Sequence, residues 1–349
     1  MPELKIKNRI IGPRHPCYVI AEMSSNHAGS FKKALAIVRA AKESGADAIK
    51  LQTYTPDTIT IDCDNKYFRL DHPLWNGKTL YQLYKEAQTP WKWHKLLKKE
   101  ADKIGIHFFS TPFDNSAVDF LERLAVPAYK IASFELVDDL LLKKIAQTRR
   151  PVIMSTGMAS LEEIRHAVGV LKRNGTKQLA LLRCLSSYPA APQEMNLTII
   201  KDLRDRFNVV TGLSDHTTDN VTAVAAVALG ASIIEKHFKL SDDGTSHDSA
   251  FSLSPSQFSS LVRDIRTVES ALGKIKYGPA SSEKNSLKFR RSIFVVKYIK
   301  KGQVFSRDNL RVIRPEHGLD ARSYKNVIGK RASCSLRRGT PLLKGNVVS

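Results

Sequence analysis

The chain reads as an α/β protein, a (β/α)8 or TIM barrel followed by a small β-rich domain. Three observations predict it. Eight apolar runs of strand length recur between Cys17 and Gly273. Amphipathic stretches with helical spacing separate most of them. After Gly273 the texture changes abruptly.

In chain order the runs are CYVIAEM, AIKLQT, HFFSTP, AYKIAS, PVIMST, LALLRC, VVTGLSD and SIIEKHF. Each is rich in β-branched or aromatic residues and apolar on both faces, as a strand covered on both sides should be. Between them, FKKALAIVRAAKESGA carries apolar residues at helical spacing, with Gly45 as its stop. SLEEIRHAVGVLKRNG does the same, with Ser160 as N-cap and Gly175 past its end. Eight strand–helix repeats over about 250 residues are the count of a closed barrel. A doubly wound open sheet is the rival, but the first strand–helix turn, AEMSSNHAGS, lacks its GxGxxG phosphate loop.

The connection between AIKLQT and HFFSTP is too long for a plain repeat. It carries Trp75, Tyr81, Tyr84, Trp91 and Trp93. Long loops in compact domains serve as lids or binding loops; the plainer reading is that these aromatics pack the insertion onto the barrel. Beyond Gly273, GKIKYGPASSEKNSLKF has the polar, Gly/Pro/Ser-containing composition of a linker. From Arg290 onward short β-like runs alternate with glycine turns. The expected division is a barrel over 1–273, a linker over 274–289 and a small domain over 290–349.

A length of 349 residues suits one large domain plus a small one. The apolar share of 42% and charged share of 26% are those of a soluble globular protein. No apolar stretch approaches the roughly 18 residues of a membrane span, and MPELKIKNRI lacks the apolar core of a signal peptide. Cys17, Cys63, Cys184 and Cys334 form no CxxC pair. They read as reduced and chemically unremarkable, which suits the cytoplasm. The net charge of +21 would attract a polyanion or an anionic small substrate. No helix-turn-helix, zinc finger or aromatic–basic RNA motif accompanies it, so the expected partners include neither nucleic acid nor membrane.

In a (β/α)8 barrel the site lies where the strands end. Nearly every expected strand ends in polar residues: Glu22; Lys50 and Gln52; Ser110 and Thr111; Lys130, Ser133 and Glu135; Ser155 and Thr156; Ser186, Ser187 and Tyr188; Ser214, Asp215 and His216; Glu235, Lys236 and His237. Lys50 and Lys130 are the sharpest signal, because an ammonium inside an apolar strand must meet an anion or change its pKa. One reading makes either lysine a Schiff-base former. Another makes both a phosphate clamp, aided by the hydroxyls of Thr111, Ser133, Ser155 and Ser214, and several serines with two lysines suit a phosphate ester better. A third pairs them with barrel carboxylates such as Glu22 or Glu235. His216 and His237 end adjacent strands, within range of one divalent ion, with Glu22 available across the closure. Such a donor set suits manganese, iron or zinc.

The blocks AEMSSNHAGS, GADAIKLQTYTPD, FFSTPFD, AYKIASFEL, IMSTGMAS, LLRCLSSYPA, GLSDHT and ALGASIIEKHF together resemble the sialic acid synthase family, and the C-terminal segment resembles its antifreeze-like, or SAF, domain. The match runs from about Cys17 to Lys344. It implies a barrel that binds phosphoenolpyruvate and a divalent metal ion, manganese first, with magnesium or cobalt as substitutes. A partner subunit's SAF domain would cap the site in a domain-swapped homodimer. Carried over by position, Lys50, Thr111, Lys130, Ser133, Ser155 and Ser214 would hold phosphoenolpyruvate, and His216 and His237 the metal. Gln52, Glu135, Tyr188, Asp248 and, from the partner's SAF domain, Arg314 in RVIRPEHG would meet the amino sugar. Glu22 would act on the attacking water. Ser186 stands where members often have Asn, which leaves that contact open.

Within the family, PLWNGKTLYQLYKEAQTPWKWH resembles the pseudaminic acid synthases, implying 2,4-diacetamido-2,4,6-trideoxy-L-altrose as acceptor. N-acetylmannosamine and the legionaminic acid precursor are the alternatives. A 6-deoxy sugar with a second acetamido group would favour an apolar, aromatic wall, to which the insertion's tryptophans are suited. The implied chemistry is attack of the enol carbon on the sugar aldehyde, addition of water at the phosphate-bearing carbon, and loss of phosphate by C–O cleavage.

Overall fold

Eight parallel strands close into a barrel, as the repeat count predicts. The structure is a computed structural model, and it describes residues 2–71, 77–240 and 246–348. It divides into two compact units, Met1–Gly273 and Lys274–Ser349.

The first unit opens with an antiparallel hairpin of β1 (Leu4–Ile6) and β2 (Arg9–Ile11). The sequence reading missed it, because three-residue strands are too short to display a period. Leu4, Ile6 and Ile11 are nonetheless fully buried in the main core. The barrel follows as β3 (Tyr18–Glu22), β4 (Ala48–Thr53), β5 (His107–Pro112) and β6 (Tyr129–Ile131). It continues as β7 (Val152–Ser155), β8 (Leu179–Cys184), β9 (Val210–Asp215) and β10 (Ile233–His237). Each strand falls within one predicted run. Closure comes from β10 on β3, in a register that sets His237 opposite Glu22.

The helical layer begins with α1 (Phe31–Glu43), where Ser30 accepts a bond from the Lys33 amide and Gly45 adopts φ 88° just past the end. Its buried residues Ala34, Ile37, Val38 and Ala41 follow the i, i+3, i+4, i+7 rule of an amphipathic helix. The insertion folds into α2 (Pro56–Ile59) and α3 (Leu80–Ala87), ahead of α4 (Trp91–Ile104). A reciprocal cap starts α3: the Gln82 amide donates to Thr79 Oγ1 at 3.2 Å, and the Thr79 amide to Gln82 Oε1 at 2.9 Å. Then come α5 (Asn115–Arg123), α6 (Asp139–Gln147) and α7 (Leu161–Arg173), the last capped by Ser160 as predicted. The layer ends with α8 (Ile199–Phe207), α9 (Val221–Ala228) and α10 (Pro255–Leu272).

Trp91 and Trp93 are committed to this layer. Trp91 donates to the Tyr54 carbonyl at 3.0 Å and packs on Phe120, while Trp93 packs between Phe31 and His27. Trp75 lies outside the described residues.

In the second unit β11 (Ser292–Val295) pairs with β12 (Leu310–Ile313), and irregular chain held by isolated bridges completes it. Its own core gathers Ile293, Val295, Ile299, Phe305, Leu310 and Leu342. The stretch read as linker is partly regular: Ser281–Phe289 form a 3-10 helix with no buried residue. A local side-chain cap, Glu283 accepting the Ala280 amide at 2.7 Å, sets its start. Residues 274–349 hold 19 of the 55 Lys and Arg but four of the 34 Asp and Glu. Most of the excess charge therefore sits in this unit, and positive potential within the barrel rests on particular buried lysines. Among the described residues no helix is long and apolar enough to cross a membrane.

Candidate active site

Strand alternation divides the polar strand ends into two sets. Asp215 and Lys236 turn away from the barrel axis and pair at 2.7 Å, both fully buried, with Thr217 and Thr222 completing their hydrogen bonds. Their neighbours Ser214 and Glu235 turn inward, where the Ser214 hydroxyl donates to Glu235 at 3.2 Å. The outer pair is scaffold and the inner set lines a pocket.

That pocket has a volume of about 410 Å3 and sits at the C-terminal end of the barrel. Lys50 Nζ lies 2.6 Å from Glu22 Oε2 and 3.6 Å from Glu235, and donates to Thr111 Oγ1 at 3.2 Å. Lys130 Nζ donates to Ser155 Oγ at 2.7 Å and to the Ile131 carbonyl at 3.0 Å, with Glu235 3.9 Å away. Ser133 and Ser214 complete the lining. The expectation that the lysines meet carboxylates holds together with the expectation that they gather hydroxyls. Burial works against the Lys50 ammonium, but Glu22 and Glu235 outweigh it and hold Lys50 above the usual lysine range. Lys130, with one distant carboxylate, is pulled below that range by burial. Burial lifts Glu22 above the usual carboxylate range, while Lys130 and Lys50 overcome the same burial at Glu235 and hold it below.

His216 and His237 stand side by side, ring centroids 5.3 Å apart. His216 donates through Nδ1 to the Leu185 carbonyl at 2.9 Å, which leaves Nε2 as the free nitrogen. Burial, with the positive field of His216 and Lys50, holds His237 well below the usual imidazole range, and its Nδ1 is buried without a hydrogen-bond partner. A neutral imidazole with an unsatisfied buried nitrogen is the state a metal ligand requires. Glu22 does not join them as a third donor. It is engaged by Lys50, the Ser24 amide at 3.1 Å and Gln52 Nε2 at 3.3 Å, and among the described residues no three His, Cys, Asp or Glu side chains form a metal-binding cluster. The protein offers two imidazoles.

The pocket opens into a larger chamber of about 1210 Å3. Gln52, Tyr188 and His237 border both, and Glu135 and Asp248 line the chamber alone. Asp248 accepts from the Ser25 hydroxyl at 2.9 Å. Burial pushes the Glu135 carboxyl up to about 7, and its Oε2 is buried without a partner. The aromatic wall anticipated from the tryptophans exists with other residues: Tyr54, Tyr84, Phe113, Phe134 and Phe251 line the chamber. Arg314 lies just past β12 in the second unit, exposed to solvent.

Two residues escaped the sequence reading, and Glu235, named there at a strand end and as a counter-ion, does more than that: it links both lysines and Ser214. Its i, i+2 spacing from His237 was the available signal. Cys184, read as unremarkable, lines the pocket 4.0 Å from His216, whose charge lowers the thiol to about 7 against the effect of burial. Gly157 donates its amide to Ser133 Oγ at 3.0 Å, and a Cβ there would collide with the hydroxyls of Ser186 and Ser133.

A family model of the NeuB family matches residues 37–277, and one of the SAF domain matches residues 290–348. The chain belongs to the NeuB family. It is 43% identical over 329 residues to a pseudaminic acid synthase of Campylobacter jejuni, covering 94% of this chain and 96% of that protein. To a pseudaminic acid synthase of Helicobacter pylori it is 40% identical, at the same coverage. Among solved structures, the N-acetylneuraminic acid synthetase of Leptospira borgpetersenii in complex with citrate matches with a TM-score of 0.73 at 33% identity, covering 82% of this chain and 96% of that one. For a NeuB-family barrel, the pocket at the C-terminal strand ends is the candidate active site.

Proposed function

We propose that this chain condenses phosphoenolpyruvate with 2,4-diacetamido-2,4,6-trideoxy-L-altrose and water to give pseudaminic acid and phosphate. The observation that carries this reading is the joining of two unlike cavities. One is small and polar, with two buried lysines partly offset by Glu22 and Glu235, and with hydroxyls suited to a phosphoester. The other is larger, with aromatic walls and a few polar groups, suited to an acylated deoxy sugar. Three relatives at 40–43% identity are pseudaminic acid synthases.

Lys50, Thr111, Lys130, Ser133, Ser155 and Ser214 would hold the phosphoester. Lys130 carries the reading best: it has hydroxyl and carbonyl partners at hydrogen-bond distance and only a remote carboxylate, so its ammonium retains capacity for a dianion. Gln52, Glu135, Tyr188 and Asp248 would orient the sugar, with its aldehyde at the junction of the two cavities. The two imidazoles fit a divalent ion, manganese first, because the Leu185 carbonyl orients His216 and His237 Nδ1 has no other partner. When bound there, such an ion supplies Lewis acidity toward the aldehyde oxygen.

With the reactants held in contact, the enol carbon forms a bond to the aldehyde carbon, whose oxygen takes up a proton. Water adds to the former C2 of phosphoenolpyruvate and becomes its hydroxyl. Glu22, whose pKa is raised by burial, accepts the water proton with Lys50 as counter-ion. The C2–O bond then breaks as the new C2 hydroxyl becomes the carbonyl of the product, its proton passing to the departing phosphate, which leaves with the bridging oxygen and has its charge met by Lys130 and the hydroxyls.

A second copy of the chain would complete the site, its SAF domain bringing Arg314 over the chamber. Supporting this, Phe134 borders both cavities yet is 56% exposed, and Val137 after β6, Leu140 at the start of α6 and Met158 after β7 are exposed apolar residues as well.

The test is phosphate release from phosphoenolpyruvate and manganese with a panel of amino sugars, using bridging 18O. The label should appear in phosphate with the diacetamido-trideoxy altrose; retention in the sugar acid, or no release with any sugar, would overturn the proposal.

A further inference from the structure

The acceptor of the proposed reaction has two distinguishable ends. Its aldehyde carbon must touch the enol carbon of phosphoenolpyruvate, so it belongs where the pocket meets the chamber, beside Gln52, Tyr188 and His237. Carbon 6 is the opposite end of the same six-carbon chain. It therefore points away from the phosphoester pocket, into the part of the chamber that the pocket does not share. The wall there includes Ile59 of α2 and Leu83, Tyr84 and Ala87 of α3.

We infer that α2 and α3 read carbon 6 of the acceptor, and that Ile59, Leu83 and Ala87 select a methyl group there over a hydroxymethyl. This rests on the synthase reading and deepens it. Three apolar side chains offer no hydrogen-bond partner to a hydroxyl, so its desolvation goes uncompensated. Of the polar groups that share the chamber, Glu135 keeps a free Oε2 and would orient the sugar, while two others are engaged. His247 pairs with Glu86 at 3.0 Å, and Asp248 accepts from Ser25 at 2.9 Å.

The wall is also fixed in place before any sugar arrives. The Thr79–Gln82 cap sets the start of α3. Tyr81 donates to Asp57 at 3.1 Å, tying α3 to α2. Glu86 reaches across to His247 in the loop after β10 and also pairs with Lys78. Tyr84 packs edge-on to Tyr54, ring centroids 5.5 Å apart, anchoring the helix to the end of β4. A rigid apolar surface discriminates where a mobile one would shift to admit water.

The experiment measures kcat/KM by phosphate release for two acceptors differing only at carbon 6: 2,4-diacetamido-2,4,6-trideoxy-L-altrose and its 6-hydroxy counterpart. Wild type, Ile59→Thr, Ala87→Ser and Leu83→Asn are compared. The first two place a hydroxyl at half-buried positions and keep the test open should Leu83→Asn fail to fold. Wild type should prefer the deoxy acceptor by about tenfold to a hundredfold. Each folded variant should reduce that preference by about threefold to tenfold, with the KM for phosphoenolpyruvate and the melting temperature held. Preference within about twofold of wild type in every folded variant overturns the inference and leaves the synthase reading intact. No phosphate release by wild type with either acceptor removes both.

Discussion

Lys50 Nζ and Glu22 Oε2 lie 2.6 Å apart in a site almost sealed from solvent, the two residues 4% and 1% exposed. Glu235 approaches the same ammonium at 3.6 Å. One lysine thus serves two carboxylates, Glu235 drawing on Lys130 at 3.9 Å as well, and it also faces the pocket proposed to bind a dianion. Structural and chemical demands converge on that side chain.

Replacing it should expose both demands. Lys50→Met leaves Glu22 and Glu235 without their shared counter-ion. Breaking a buried pair in this way costs about 3–5 kcal/mol. We expect a lowered urea midpoint and a fall in kcat/KM of at least about a hundredfold. Glu22→Gln keeps the volume and should retain stability far better while losing a comparable factor in kcat. Activity of Lys50→Met within tenfold of wild type, measured by phosphate release, would show that the pair is scaffold alone.

Metal dependence should follow the two imidazoles. Chelator treatment should abolish phosphate release and added manganese should restore it. His237→Ala should stay inactive at any manganese concentration, yet still bind phosphoenolpyruvate by isothermal titration, because the lysine–hydroxyl cradle is separate. Full activity in chelator would sink the assignment.

Glu135 predicts a pH signature of its own. Burial raises its folded pKa to about 7 from an ordinary value of 4.5. Between these values the carboxyl is protonated when folded and ionised when unfolded, so the stability it contributes is full below the unfolded pKa and fades as pH rises toward 7. Relative to Glu135→Gln, the wild type should lose on the order of 2 kcal/mol between pH 5 and pH 8. Urea unfolding of both proteins at the two pH values measures it, and parallel curves would show that the carboxyl is not held neutral.

Gly157 offers a test confined to the phosphoester end. Its amide holds the Ser133 hydroxyl at 3.0 Å, and an added methyl would strike the Ser133 and Ser186 hydroxyls. Gly157→Ala should raise the KM for phosphoenolpyruvate by roughly tenfold or more and leave that for the sugar nearly unchanged. Equal increases in both, by steady-state kinetics, would argue for a general disturbance of the barrel.

Each barrel strand was legible, because strands covered on both faces leave uninterrupted apolar runs, and the glycines and serines that bound α1 and α7 act within a few residues of chain. The polar strand ends were legible too, since a charged residue closing an apolar run has few structural reasons to be there. The hairpin at Leu4–Ile11 was hidden by its brevity. Trp91 and Trp93 follow the plainer reading and pack the insertion onto the barrel, while Tyr84, Leu83 and Ile59 line the chamber, since aromatic content does not say which face of a helix carries it.

By itself the sequence determined the barrel, the small β-rich unit after it, and the set of side chains at the strand ends. All of these rest on periodicity and on interactions between near neighbours. Tertiary structure alone decided that Asp215 and Lys236 turn outward while Ser214 and Glu235 turn in, that Glu235 joins two lysines from β4 and β6, and that Cys184 borders the pocket while Gly157 backs the Ser133 hydroxyl. Those relationships depend on strand stagger and closure, which bring together residues on different strands, far apart in the chain, and no local pattern encodes them.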